Sequence, residues 1–246
     1  MTQILFPTDG ETVRSLAFYL AAEEYAAGLD GIGESLFFWT VQPSVIFGRN
    51  QCMEAEVNLS WCREHRVQVF RRRSGGGCVY ADRGNLMISY ISPGLDAQDA
   101  FCRYLSMMTD ALRWLGVDAE PSGRNDILAG GRKISGNAFY TAAGKSIVHG
   151  TLLYDVDMEA MQAAITPSRD KLDRHGVASV RQRVTNMKTL PGMACGVRDT
   201  ASLAVRLAER LCDSSLMLAP DQVEEISLLA GKYLDPVFVG GKADGH

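Results

Sequence analysis

Three segments of this 246-residue chain gather the residue types that bind and stabilise anions. The first is RRRSGGGCVYADRGN, residues 71–85, where Gly75, Gly76 and Gly77 follow one another between two strand-like stretches. Glycine admits backbone conformations closed to other residues and lets a second molecule come close to the main chain. Successive N–H groups in such a loop form a concave anion site. Arg71, Arg72 and Arg73 just upstream add planar donors suited to a carboxylate or phosphate. Triple glycine by itself would suit a flexible hairpin equally well. The basic stretch before it, with Asp82, Gly84 and Asn85 after it, tips the reading toward binding. The loop is neither a Walker A sequence nor GxGxxG, which disfavours a P-loop NTPase or a Rossmann enzyme.

The second segment is SGRNDILAGGRKISGNAF, residues 122–139. Asn125 and Asp126 offer polar groups near a strand start, and strand periodicity predicts that Lys133, Ser135 and Asn137 share one face. A lysine facing a pocket can neutralise a phosphate and stabilise charge as pyrophosphate leaves. Alone, Lys133 would read as a surface lysine with a buried stem. In the third segment, SIVHGTLLYDVD (146–157), period two puts His149, Thr151 and Leu153 on one face, with Val148, Gly150 and Leu152 on the other. His149 suits a core histidine satisfied by a carbonyl as well as a pocket residue. Gly150 would leave room for a ligand chain beside the strand.

These segments need elements to hold them. Val13, Leu16, Ala17, Leu20 and Ala21 recur at helical spacing, which predicts a helix over 12–28 with Thr12 as its cap. Short apolar runs at 36–41 and 44–47 read as strands, and Asn58 as the start of a helix to about residue 65. Strands follow at 67–72, 78–81 and 86–91. A helix over 97–115 carries Phe101, Leu105, Met108, Leu112 and Leu115 on one stripe and ends at Gly116. Further strands are expected at 126–129, 133–140 and 147–155, with Gly130-Gly131 turning between the first two. Helices are expected at 158–165, 198–212 and 221–233, and residues 239–246 read as a frayed tail. Strands dominate the first two thirds and helices follow, so the fold class is α+β in one domain over 1–238.

Composition sets limits without naming an activity. The apolar fraction of 46% and charged fraction of 22% are ordinary for a globular protein. A net charge of −4 and a pI near 5.6 argue against a general nucleic-acid binder. The first residues carry no basic flank and no long apolar core, so they do not read as a secretory signal. No run of about 18 apolar residues exists to span a bilayer. Six cysteines, at 52, 62, 78, 102, 195 and 212, contain no CxxC pair. That spacing favours free thiols in a reducing cytoplasm over disulfides or zinc.

Taken together, the motifs resemble the lipoate–protein ligase A family, within the wider biotin and lipoate ligase superfamily. The arginine pair, triple glycine and D-x-G-N tail stand at Arg72–Gly77 and Asp82–Asn85. The G-R-N-D and K-[IV]-S-G elements stand at Gly123–Asp126 and Lys133–Gly136, H-G-T-L-L at His149–Leu153, and S-V-R-x-R-V-T-N at Ser179–Asn186. The match is ordered and spans about residues 10–190. It implies an α+β catalytic domain with a mixed sheet and flanking helices. It also implies a two-step reaction, in which lipoate and ATP give lipoyl-AMP and an acceptor lysine then attacks the mixed anhydride. By position, Lys133 would contact the phosphate and acyl carbonyl. Arg72, Ser74, Gly75, Gly76, Gly77, Cys78 and Val79 would line the lipoate and adenylate site. Asp82, Asn85, Asn125 and Asp126 would hold the nucleotide side, with Asp126 a candidate magnesium ligand. Gly136, Ala138, His149 and Thr151 would complete the pocket.

The acceptor implied is a lipoyl domain of a 2-oxoacid dehydrogenase complex or the glycine-cleavage H protein. Arg169, Lys171, Arg174, Arg181 and Arg183 form a basic stretch suited to an acidic acceptor or to a solvated surface with its own ion pairs. Two features depart from the family pattern. Ala81 replaces a histidine that many relatives carry before the loop-tail aspartate, and no large accessory domain is expected after residue 238. Four alternatives stay open: a biotin ligase, a lipoyl or octanoyl transferase acting through an acyl-cysteine, a ligase needing a separate accessory protein, and a non-catalytic lipoate or adenylate binder. RRSGGG rather than a GRGRxGR loop disfavours the first. Cys78 is the only cysteine placed for the second.

Overall fold

The computed structural model describes residues 1–7, 13–165, 183–194 and 196–240. Eight strands form a mixed sheet in the order β11-β1-β2-β6-β10-β9-β8-β7. They are β1 (Thr2–Leu5), β2 (Ser35–Trp39), β6 (Asn85–Ser92), β7 (Ala119–Pro121), β8 (Asp126–Ala129), β9 (Arg132–Ala142), β10 (Lys145–Leu153) and β11 (Ser214–Met217). β11, β1 and β2 are parallel, and every later pairing across the sheet is antiparallel. A second sheet has the order β4-β3-β5, from β3 (Ser44–Phe47), β4 (Gln68–Arg71) and β5 (Val79–Ala81).

Period-two alternation divides the large sheet into two faces. Leu36, Leu86, Ile88, Val148 and Leu152 pack with Phe101, Tyr104 and Met108 of α4 (Ala97–Trp114) and Leu203 and Leu207 of α6 (Thr200–Leu211). Phe37, Trp39, Met87 and Ile147 turn the other way, toward α1 (Leu16–Gly28) and α7 (Pro220–Ala230). A third cluster joins Val45, Phe47 and Tyr80 of the small sheet to Cys62 of α3 (Leu59–Glu64) and Met161 of α5 (Met158–Ala164). A one-turn helix α2 (Met53–Glu56) precedes α3.

The elements expected from sequence are present with ends shifted by a few residues. The first helix begins at Leu16 under the Ser15 side chain, which accepts from the Phe18 N–H at 3.3 Å; Thr12 lies outside the described residues. Asn58 caps α3 and Asp96 caps α4, each by side-chain acceptance from the backbone three residues on. Gly130 and Gly131, at φ +56° and +72°, supply the two left-handed positions of the β8–β9 turn. The sequence reading omits β1, β7 and β11, which have three or four residues and little internal periodicity. Its frayed tail also begins too early. Pro236–Gly240 is a short helix, and the Val239 carbonyl accepts from Arg71 Nε at 3.2 Å. Residues 241–246 lie outside the described set.

Among the described residues, no helix is long and apolar enough to cross a membrane. No disulfide joins the described cysteines.

Candidate functional site

A cavity of about 510 Å³ opens between the large sheet and the small one. Its apolar wall comes from Leu20, Trp39, Ile46, Met87, Leu153, Met161 and Ile165. Its polar end is built by Asn125, Asp126, Lys133, Thr151 and Arg183. One molecule with an apolar chain and an anionic head would meet both.

The glycine loop, residues 72–78, connects β4 to β5 and closes one side. Gly76 has φ +89°, a conformation that favours glycine. A Cβ on Gly48 would stand 2.1 Å from the Gly76 carbonyl oxygen, so the loop packs directly on that backbone. Arg72 organises it from behind. Its Nη2 donates to the carbonyls of Gly75 and Gly77, each at 2.7 Å, its Nη1 to Ile46 at 3.0 Å and its Nε to Ser74 Oγ at 2.9 Å. Burial pulls the Arg72 guanidinium down to about 10, so it stays charged at neutral pH. With these carbonyls occupied on the arginine side, the loop has its N–H groups left to offer the cavity. Gly76, Gly77, Cys78 and Val79 line the cavity, as does Arg72. Ser74 is buried beneath it, 2.6 Å from His149 Nε2, and Gly75 contributes its carbonyl to Arg72 rather than a wall.

Arg71 and Arg73 turn elsewhere. Arg71 lies over the Phe47 ring and donates to the carbonyls of Arg49 and Gln51, whereas Arg73 pairs with Glu24 at 3.3 Å. Asp82 and Asn85 stand away from the cavity lining. Asp82 accepts from the N–H groups of Gly84 at 2.8 Å and Asp157 at 3.0 Å, and Asn85 Oδ1 accepts from the Asp82 N–H at 2.9 Å. Burial pushes the Asp82 carboxyl above its ordinary range. The D-x-G-N tail therefore braces the turn. Gly84 fits there because a Cβ would lie 2.1 Å from the Asp155 carbonyl oxygen.

Lys133 reaches the cavity by a route that strand alternation did not predict. Asp126 pairs with Gly136 and Ile127 with Ser135, but Leu128 pairs with Lys133, which leaves Ile134 as the extra residue of a bulge. The bulge reverses the face. Lys133 sits over Gly136, where a Cβ would stand 2.7 Å from Nζ, and both line the cavity with Asp126, Leu128 and Ala138. Ser135 and Asn137 are joined on the opposite side, with Ser135 Oγ donating to Asn137 Oδ1 at 3.1 Å. Backbone pairing at the bulge continues into residues 183–186: Thr185 N–H donates to the Lys133 carbonyl at 3.0 Å.

Lys133 Nζ lies 2.7 Å from Asp126 Oδ1, an ion pair with imperfect hydrogen-bond alignment and side chains about a third exposed. Asp126 stands outside any cluster of three or more histidine, cysteine or acidic side chains among the described residues. Lys133 holds that carboxylate here, and a magnesium ion at Asp126 would draw its remaining ligands from nucleotide phosphates and water.

His149 and Thr151 face the cavity as alternation predicts, and β10 runs unbulged through them. Gly150 lines the cavity and serves a second purpose as well. A Cβ there would stand 2.0 Å from Asn137 Oδ1 and 2.5 Å from the Tyr104 hydroxyl, on the far face of the sheet. On that face it makes room for α4 packing, while its backbone lines the cavity on the other. Asn125 lines the cavity and clamps β9, donating to the Asn137 carbonyl at 3.1 Å while its own carbonyl accepts from Asn137 Nδ2 at 2.9 Å. Of the expected basic stretch, Arg183 lies at the cavity rim; Arg169, Lys171, Arg174 and Arg181 fall outside the described residues. Ala81 is fully buried beside β3 and does not line the cavity.

Sequence reasoning missed Trp39, Met87 and Leu20 on the apolar wall, and Glu23 behind it. Alternation along β2 and β6 would have put Trp39 and Met87 on one face. Nothing local linked that face to His149.

The family model of the lipoyl protein ligase A/B catalytic domain matches residues 15–206. Lipoate-protein ligase LplJ of Bacillus subtilis is 40% identical over 181 residues, covering 73% of this chain and 55% of that protein. The chain spans about half the length of the curated relatives it matches. A structure of lipoate-protein ligase A bound with ATP superposes with a TM-score of 0.77 at 25% identity, over 98% of this chain and 99% of that one. The T. acidophilum protein Ta0514, solved with bound lipoic acid, gives 0.76 at 25% identity, again over 98% and 99%.

Proposed function

This chain belongs to the lipoyl protein ligase A/B catalytic-domain family, and on that premise we propose that it activates lipoate with ATP and transfers the lipoyl group to a lysine of an acceptor protein. The observation that carries the reading is one cavity with two chemistries. An apolar wall of Leu20, Trp39, Ile46 and Met87 shares the cavity with a polar end that holds Lys133, and the glycine loop lines the same space.

The apolar wall takes the dithiolane and its alkyl chain, a burial worth about 0.8 kcal/mol per CH₂. The carboxylate then sits near the loop N–H groups and Lys133. In the first step a lipoate oxygen bonds to the α-phosphorus of ATP as the bond to pyrophosphate breaks. Lys133 leaves Asp126 for the phosphate oxygens and stabilises the charge that develops there. In the second step the acceptor amine attacks the acyl carbonyl, AMP departs with the bonding electron pair, and the amine loses a proton to solvent. Asn125 and Thr151 share the polar end of the cavity with Lys133. Holding both reactants in register supplies much of the acceleration. Magnesium enters with the nucleotide phosphates, and no step here is routed through it. Arg183 at the rim suits an acidic acceptor, of which a lipoyl domain or H protein is the expected kind.

The deciding experiment incubates the chain with lipoate, ATP, magnesium and an apo lipoyl domain, and weighs the acceptor by mass spectrometry. An ATP-dependent lipoyl mass shift supports a self-sufficient ligase. Transfer only from preformed lipoyl-AMP would reassign the chain as a transferase or a partner-dependent ligase. No modification from either donor would overturn the reading.

A further inference from the structure

One buried carboxylate plays no part in the chemistry above. Glu23 of α1 is 0% exposed and lies outside the cavity lining. Its oxygens accept from Ser89 Oγ at 2.6 Å and the Tyr140 hydroxyl at 3.0 Å, and His149 Nδ1 stands 3.0 Å from both. A carboxylate so placed is costly unless fully satisfied and charge-compensated. The cation that closes this network is reached through two further side chains. His149 Nε2 is 2.6 Å from Ser74 Oγ, and Ser74 Oγ accepts from Arg72 Nε at 2.9 Å.

Only one proton order satisfies every member. Arg72 Nε–H and the carboxylate fix the two ends, because guanidinium only donates and carboxylate only accepts. Ser74 then accepts from Arg72 and donates its own hydrogen to His149 Nε2. His149 carries its proton on Nδ1 and gives it to Glu23. The chain runs in one direction from a buried positive charge to a buried negative one, through links that span 2, 75 and 126 positions in sequence.

We propose that Glu23 is a positioning residue: through His149 and Ser74 it holds the Arg72 guanidinium, and so the inward carbonyls of Gly75 and Gly77, in the arrangement that aims the glycine loop at the cavity. The same carboxylate orients Trp39, whose indole Nε1 donates to Ser89 Oγ at 2.9 Å. One group behind the wall thus sets both the apolar end and the anion cradle. The kinetic consequence rests on the acyl-adenylation reading; the structural one does not.

Two measurements test this. In Glu23→Gln the amide must place an N–H against a ring of donors, so the proton order fails. Exchange of the Arg72 Nε–H, followed by NMR and assigned by its absence in Arg72→Lys, should quicken by about tenfold or more, three side chains from the substitution. An exchange rate within about twofold of the parent would overturn the proposal. In a double-mutant cycle on kcat/KM for lipoyl-AMP formation, Glu23→Gln and Ser74→Ala should be non-additive, the double variant being no slower than Ser74→Ala alone. Additive losses would overturn it too, since a carboxylate acting only on local stability has no reason to couple to the loop. Should Glu23→Gln fail to fold, Glu23→Asp keeps the charge but withdraws it by one methylene, and the same two readings apply. If the parent protein forms no lipoyl-AMP, the functional reading falls while the exchange experiment still decides the relay.

Discussion

Replacing Lys133 by methionine keeps the unbranched stem and removes the charge. Two effects follow, and the geometry lets them be separated. Two unit charges 4 Å apart at an effective dielectric of 20 interact by about 4 kcal/mol. Lys133 is a third exposed and the charge developing on the phosphate is partial, so a loss of about 3 kcal/mol is the better expectation, roughly a hundredfold in kcat. The second effect comes from Asp126, whose Oδ1 is buried and stands 2.7 Å from the lysine. Without its partner that carboxylate repels an incoming phosphate and raises the KM for ATP. Lys133→Met should therefore lose both kcat and affinity, whereas Lys133→Met with Asp126→Asn should recover affinity and leave kcat low. Steady-state rates of lipoyl-AMP formation, with thermal melts to establish folding, give both parameters. A folded Lys133→Met variant with kcat within about threefold of the parent would remove the lysine from the mechanism.

Further expectations concern the neighbours. Gly150→Ala should lower stability by about 2 kcal/mol or more and reduce Tm accordingly, because its methyl group would meet Asn137 Oδ1 and the Tyr104 hydroxyl within van der Waals distance; an unchanged Tm would show that α4 can move aside. Cys78→Ser should keep lipoyl transfer within a few-fold, since Cys78 is read as part of the cavity wall; complete loss of transfer with preformed lipoyl-AMP would point instead to an acyl-cysteine. Glu34 is held below the ordinary carboxylate range by its hydrogen bonds to Arg103 and then Tyr90. A folded pKa below the unfolded one stabilises above the unfolded value, and that stability is lost as pH falls through the folded one. The Tm difference between the parent and Glu34→Gln should thus be largest near neutrality, worth at most about 1 kcal/mol for so exposed a pair, and should vanish in acid; a difference that grew in acid would contradict the assignment.

The parts of this protein that were legible in the sequence are those fixed by local periodicity and local chemistry. His149 and Thr151 share a face because side chains alternate along any regular strand, and β10 is regular. Asn58 and Asp96 announce helix starts because their short side chains satisfy the first free N–H groups. The Gly130-Gly131 turn declared itself because a two-residue hairpin needs positive φ at both positions. The motif order from Arg72 to Asn186 carried the family resemblance and with it the mixed-sheet fold.

Tertiary structure decided what depends on pairing between distant segments. A single extra residue, Ile134, turns Lys133 from the face of Ser135 and Asn137 to the face of Gly136 and Asp126. Whether a strand bulges is set by its partner strand, which no window along β9 can reveal. Arg72 read as a ligand for substrate anions, but most of its donors serve the loop's own carbonyls, because the fold wraps residues 72–77 around the guanidinium. Gly150 lines the cavity, but its missing side chain also leaves space for Tyr104, which the sequence does not show because it does not say which face a helix will cover. The short strands β1, β7 and β11 exist because neighbours supply their hydrogen bonds. Glu23 was invisible for the same reason: a carboxylate among alanines gains its meaning only from a histidine 126 residues away.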